Sequence, residues 1–252
     1  MRPSVLNESI GNLFSTKRPA EPIPVIFSRK MRMSFPTDDC DLCGACAGSC
    51  GGKAITVTDH WEVDLGRCLF CGRCIGSCEK KALKPVNAPD YVLERKDLIF
   101  RSDGPVTRKP GTIDESKRRA IGRSISIRQV DTGSCNGCEV EINSLSNQFY
   151  DMERFGIKIV ASPRHADVLL VTGPLTHNMY DAFIKVIAAT PDPKVIVASG
   201  SCAISGGVFS EGEVKKGIDG TTDVDIYIPG CPPPPDAILR AILSAFGLTE
   251  QQ

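Results

Sequence analysis

No stretch of this chain approaches the roughly 18 consecutive apolar residues of a membrane-crossing helix. The N-terminus has neither the apolar core nor the cleavage site of a secretory leader, so a cytoplasmic location is expected. Net charge is also lacking: 30 Lys and Arg face 30 Asp and Glu. That balance provides no general field for nucleic acid, and no nucleic-acid partner is expected. Histidine is scarce, with His60, His165 and His177 alone. Neither His60 nor His177 has ligand spacing around it, and His165 reads as a surface or capping residue. Against these absences stand 12 cysteines. In a reducing compartment such thiols are metal ligands more readily than disulfides.

Eight of them form an internal repeat. Cys40, Cys43, Cys46 and Cys50 recur 28 positions later as Cys68, Cys71, Cys74 and Cys78. Each half reads C-x2-C-x2-C-x3-C, and CGACAGSCGGKAI answers CGRCIGSCEKKAL. Zinc modules present two C-x2-C pairs around a longer insert, which differs from this tandem three-plus-one. Three closely spaced thiols wrap one corner of an iron–sulfur cube, and the fourth reaches across to the other cluster. The expected sets are Cys40, Cys43, Cys46 with Cys78, and Cys68, Cys71, Cys74 with Cys50. Thr56, Val57 and Val63 suit a small hairpin between the halves. The stretch resembles the bacterial-type two-cluster ferredoxins, a small α+β fold. It departs from them in having Gly51 and Glu79 where the family has proline after each fourth cysteine. Proline donates no ligand, so cluster binding should survive.

Residues 1–35 read as a docking arm, rich in Lys and Arg. Leu6, Ile10, Leu13 and Phe14 share one face of a short helix, with a membrane-surface helix as the alternative. Residues 21–36, holding Pro22, Pro24 and Pro36, read as extended. The ferredoxin-like unit is expected over 36–88, and a polar linker over 89–123 with one short element at 91–100 and a solvated helix face at Lys117–Arg119.

From 124 to 252 the pattern alternates β and α. Strands are expected at 126–130, 157–160, 166–171, 195–198 and 224–228, and helices at 139–150, 177–189 and 236–246. Most strands lack polar alternation, as in a parallel sheet covered on both faces. The remaining cysteines follow strands: Cys135 and Cys138 in GSCNGCEVE, Cys202 in GSCAISGGVF, and Cys231 in IPGCPPPP. Turns after parallel strands share one sheet edge, where sites form beside a switch in strand order. Four thiols there can converge on a metal or an iron–sulfur cluster.

Those three motifs, together with ERFGIKIVASPRHADVLLVTGPLT, resemble the small electron-transfer subunit shared by NiFe hydrogenases and respiratory complex I. The resemblance implies a flavodoxin-like α/β domain holding one 4Fe–4S cluster on Cys135, Cys138, Cys202 and Cys231, beside the active site of a larger subunit. Complex I subunits have adjacent cysteines at the first ligand position. Here Asn136 and Gly137 intervene, which is similar to membrane-bound, energy-converting hydrogenases and formate hydrogenlyase. EPIPV, LGRCLFCGRC and DYVLERKDL likewise resemble the separate two-cluster subunit of those complexes, so the chain looks like two subunits fused.

The resemblance implies three 4Fe–4S clusters carrying electrons to or from a NiFe large subunit, which must hold the hydrogen chemistry, since no NiFe ligands stand in this sequence. It also implies membrane-embedded partner subunits, an electron donor or acceptor protein, and a peripheral position on the inner face of the cell membrane. A complex I-like reductase of quinone or another acceptor is the alternative. Glu141 reads either as a proton relay near the partner's active site, from its family position, or as a carboxylate in the first helical turn after Cys138, favoured by the helix dipole. Arg164 corresponds to a basic residue that the family holds near the cluster.

Overall fold

The chain, described here by a computed structural model, is defined over residues 30–209 and 214–248. The helix expected within 1–20 and most of the extended stretch at 21–36 lie outside these residues.

The first half is built on the 28-residue repeat. Strand β1 (Arg32–Pro36) pairs antiparallel with β4 (Leu83–Asn87), and β2 (Ile55–Val57) forms the expected hairpin with β3 (Trp61–Asp64). Two single-turn helices, α1 (Ala45–Gly48) and α2 (Arg73–Gly76), occupy matching places. Backbone conformation repeats with the sequence: Leu42 and Phe70, Gly44 and Gly72, and Lys53 and Lys81 all take positive φ. Ser49 and Ser77, also equivalent, meet hydroxyl to hydroxyl at 2.8 Å. Each hydroxyl also lies within hydrogen-bond distance of the carbonyl of its own repeat's third cysteine, Cys46 or Cys74, at 3.0 and 3.1 Å.

The stretch at 89–123, expected as a linker, is packed structure. A 3-10 turn at Arg95–Leu98 leads into β5 (Ile99–Arg101), which adds a third strand beside β3. Leu98 and Phe100 are fully buried, which explains why these residues do not stay in solvent. Helix α3 (Glu115–Ile121) is capped by the Asp114 carboxylate, which accepts from the Ser116 and Lys117 amides.

The second half is a five-stranded parallel sheet of β6 (Ile125–Asp131), β7 (Ile157–Ile159), β8 (Val168–Thr172), β9 (Val195–Ser199) and β10 (Ile226–Ile228). Its order is β7-β6-β8-β9-β10, which is 2-1-3-4-5 in chain order, the flavodoxin-like arrangement. Strands β8, β9 and β10 are buried at every position, accounting for their unbroken apolar sequence. Helices α4 (Gly137–Ser144), α5 (His177–Ala189), the short α6 (Ser201–Ser205) and α7 (Pro235–Ala245) complete the layers. Helix α4 stops well short of residue 150. The Asn147 side chain accepts from the Phe149 and Tyr150 amides, turning the chain, and Phe149 is left 51% exposed while Ile142 and Leu145 are buried.

One apolar cluster runs through both halves, joining Met33, Trp61 and Phe100 to Leu169, Val171, Ile196, Ile204 and Tyr227. The opposite face of the sheet packs on α7 through Ile238, Leu239 and Ile242. Polar locks join the same parts. Arg240 donates to both oxygens of Asp90, at 2.8 and 2.9 Å, and to the buried Asp236 at 2.7 Å. Val92 and Tyr227 form a β-bridge.

Candidate iron–sulfur sites

The sheet's switch point lies between β6 and β8, and the turn carrying Cys135 and Cys138 leaves β6 there. Asp131 builds that turn by accepting from the Gly133 and Ser134 amides at 2.8 and 2.7 Å. Ser134 Oγ then accepts from the Asn136 amide, and Asn136 takes a left-handed conformation at the start of α4. Cys202 follows β9 and Cys231 follows β10, at the same edge of the sheet.

These four thiols act on one another. Burial raises the Cys138 thiol, and the charges of Glu139, Cys202, Cys231 and Cys135 add to the rise. Burial likewise pushes Cys202 up to about 12, with Cys231, Cys135 and Glu139 contributing. Thiolates that repel one another in a desolvated place are stabilised by a cationic metal centre. Space is kept beside them by glycine: a Cβ on Gly200 would stand 2.7 Å from Cys138 Sγ, and one on Gly207 would stand 2.7 Å from Cys202 Sγ. Both have positive φ, which a side chain would strain. The donor chemistry and the open cradle fit an iron–sulfur group.

In the first half, a small cavity is lined by Cys50, Cys68, Cys71 and Cys74, with Arg32 and Ser34 on its wall. This is the set the crossed spacing predicts. Burial pushes the Cys68 thiol up to about 12, opposed by the Phe70 amide and reinforced by Cys74, Cys50 and Cys71. The Phe70 and Ala54 amides donate to Cys68 and Cys50 Sγ at 3.4 and 3.3 Å. In the other set Cys46 is raised mainly by burial and slightly by Cys40, while the Trp61 indole opposes the rise. Cys43 is exposed, Cys40 and Cys78 are half-buried, and Lys80 pairs with Asp41 beside Cys43 and Cys40 at 2.7 Å. Among the described residues, no group of three His, Cys, Asp or Glu is arranged to hold a single metal ion.

The two halves bring two sets together. Cys231 is raised by burial, then by Cys135, and then by Cys71 from the repeat. Ser201 and Ser205 of α6 donate to the carbonyls of Cys68 and Gly66 at 2.7 and 2.8 Å.

Glu141 is half-buried and lines an open cleft with Ser144, Asn147, Phe149, Tyr150, Pro234 and Pro235. The first helical turn carries Glu139 instead, because α4 starts at Gly137. Glu139 is buried, accepts from the Thr172 hydroxyl through Oε1, and has no partner for Oε2 among the described residues. Sequence reasoning missed Glu139. Its adjacency to Cys138 was visible, whereas its contact with Thr172 depends on β8 lying beside β6. Arg164 and His165 are exposed on the 3-10 turn Pro163–His165, which leads into the start of β8, whereas the thiols follow strand ends. His177 is exposed, and His60 contacts Arg101 and Glu62.

A parallel sheet in the order 2-1-3-4-5 with thiols at three of its strand-end turns defines a class of oxidoreductase subunit, and the comparisons agree. Residues 135–245 match the family described as NADH ubiquinone oxidoreductase, 20 kDa subunit, and the chain belongs to that family. It is 45% identical over 151 residues to formate hydrogenlyase subunit 7 of Escherichia coli, covering 57% of this chain and 59% of that one. It is 48% identical over 127 residues to a probable membrane-bound hydrogenase subunit of Pyrococcus furiosus, covering 50% and 76%. An NADH-quinone oxidoreductase subunit of Citrifermentans bemidjiense is 44% identical over 106 residues, covering 42% and 62%. The chain thus spans less than two thirds of the formate hydrogenlyase and quinone oxidoreductase relatives. No helix among the described residues is long and apolar enough to cross a membrane.

Proposed function

We propose that the chain is the electron-transfer subunit of a membrane-associated NiFe hydrogenase-type complex and carries three 4Fe–4S clusters. Its proposed ligand sets are Cys40, Cys43, Cys46 and Cys78; Cys68, Cys71, Cys74 and Cys50; and Cys135, Cys138, Cys202 and Cys231. Bound there, the clusters would supply one-electron carriage at potentials set by their surroundings. The observation that carries the proposal is the pair of bonds from Ser201 and Ser205, which flank Cys202 on α6, to the Cys68 and Gly66 carbonyls at 2.7 and 2.8 Å, joining the repeat to the sheet-edge thiols.

The chain's own residues shape the path. Ser201 and Ser205 hold the two inner thiol segments in register. The buried Trp61, Leu65 and Leu98 keep water from the core beneath them. Val140, Phe149, Val208 and Phe209 are exposed apolar side chains on the segments around Cys138 and Cys202, which supports docking of a large subunit on that face. Glu141, on the wall of the adjoining cleft, is the carboxylate proposed to pass protons between that subunit and solvent. Membrane-embedded subunits would hold the complex on the inner face of the membrane, and a separate redox protein would meet the Cys40 end.

The C-x2-C spacing of Cys135 and Cys138 favours the hydrogenase type over the quinone-linked relative. Anaerobic affinity purification of the tagged chain tests the choice. A co-purified large subunit with two C-x2-C pairs and hydrogen-dependent dye reduction is the expected result. A partner without those pairs, reducing quinone and inert to hydrogen, would establish the alternative.

A further inference from the structure

The cavity lined by Cys50, Cys68, Cys71 and Cys74 also has on its wall a hydroxyl, that of Ser34, that the spacing of cysteines does not explain. Ser34, on β1, is 9% exposed, and its Oγ lies 2.9 Å from Cys74 Sγ. Its strand neighbours Met33 and Phe35 are buried, and since successive side chains alternate faces, their burial fixes the strand and the side from which the Ser34 hydroxyl projects. Among the described residues, Cys74 is the group its hydroxyl meets. A ligating thiolate can only accept, which makes Ser34 the donor. The Ala54 and Phe70 donors to thiols of this set are backbone amides that substitution leaves in place. Ser34 is therefore the side-chain contact to a sulfur of this set that mutation can remove.

We propose that Ser34 sets the reduction potential of the centre on Cys50, Cys68, Cys71 and Cys74, as a positioning residue acting through Cys74. The inference rests on the cluster assignment above. Reduction adds one electron and raises the negative charge on the ligand sulfurs, with no bond made or broken. A hydroxyl donated to Cys74 Sγ stabilises that added charge, so the potential is higher with Ser34 than without it. Cys68 of this set is bonded through its carbonyl to Ser201, beside Cys202, so the hydroxyl makes the station that adjoins the sheet-edge thiols easier to reduce.

The test is a potentiometric titration of the complete complex, followed by electron paramagnetic resonance, for the native chain and for Ser34→Ala, Ser34→Thr and Ser34→Cys. Ser34→Ala should lower one midpoint potential, equivalent to a roughly two- to tenfold loss in the reduction equilibrium, the scale of one hydrogen bond. Ser34→Thr, which keeps the hydroxyl, should restore it, and Ser34→Cys, a weaker donor, should fall between. An exchangeable-proton coupling on that centre should vanish in Ser34→Ala alone. If Ser34→Ala fails to assemble the centre, the comparison of native, Thr and Cys chains decides, and equal potentials in all three overturn the proposal. Unchanged potential in an iron-replete Ser34→Ala chain also overturns it while leaving the cluster assignment intact. Absence of iron and sulfide in the native chain would instead defeat the assignment itself.

Discussion

The hydroxyl of Ser201, one residue before Cys202, donates to the backbone carbonyl of Cys68 at 2.7 Å. One short bond thus ties a turn of the parallel sheet to the second arm of the cysteine repeat. The same hydroxyl lies 3.0 Å from the Gly230 carbonyl, beside Cys231. Ser201→Ala should lower stability of the loaded chain by about 1 kcal/mol, the net value of a hydrogen bond, and should slow electron exchange between the halves. Anaerobic urea titration and stopped-flow reduction measure the two effects. Native behaviour in both would show that the contact is incidental.

A stronger lock is the Asp90–Arg240–Asp236 triad. Asp236 is fully buried, and one of its oxygens already lacks a hydrogen-bond partner among the described residues. Arg240→Ala would leave that carboxylate without its cation, at a cost of about 3 kcal/mol, the lower end for a broken buried pair because Arg240 itself is partly exposed. Limited proteolysis near residue 90 should accelerate. Asp236→Asn in the same chain should recover part of the loss. Equal stability of the native and Arg240→Ala chains would contradict this role.

Crossed ligation makes a separate demand on Cys50. It is 18 residues before Cys68 in sequence, yet it shares a cavity with Cys68, Cys71 and Cys74. Cys50→Ser should alter the magnetic signature of the same centre that Cys71→Ser alters, and leave the centre affected by Cys43→Ser unchanged. Co-variation of Cys50→Ser with Cys43→Ser would refute the crossing.

For Glu141, the substitution to Gln keeps shape and removes the titrating group. As a relay, its loss should reduce hydrogen turnover about a hundredfold or more, the scale of a general acid–base contribution, with every cluster still reducible. Its place in the second turn of α4 leaves little of the first-turn dipole interaction to account for such a loss. Normal turnover in Glu141→Gln would remove Glu141 from the proton path.

Much of this organisation was legible because it rests on spacing. The 28-residue repeat, the hairpin at 55–64, helix α5 at 177–189 and the five β-runs are local patterns, and they appear in the structure with ends shifted by a few residues. What the sequence concealed depends on tertiary placement. The stretch at 89–123 reads as polar, but Leu98 and Phe100 are drawn into the shared core and Ile99–Arg101 completes a sheet. Phe149 fits the helical stripe of Ile142 and Leu145, but Asn147 ends the helical path before it. Of the two carboxylates after Cys138, the pattern could not tell which one β8 would bury, and it is Glu139 that meets Thr172.

The central claim is that all 12 cysteines serve clusters. The most direct measurement is the iron, acid-labile sulfide and zinc content of the full chain purified without oxygen. Three sets of four thiolates predict about twelve iron and twelve sulfide per chain, with negligible zinc. Stoichiometric zinc with little sulfide would contradict the account.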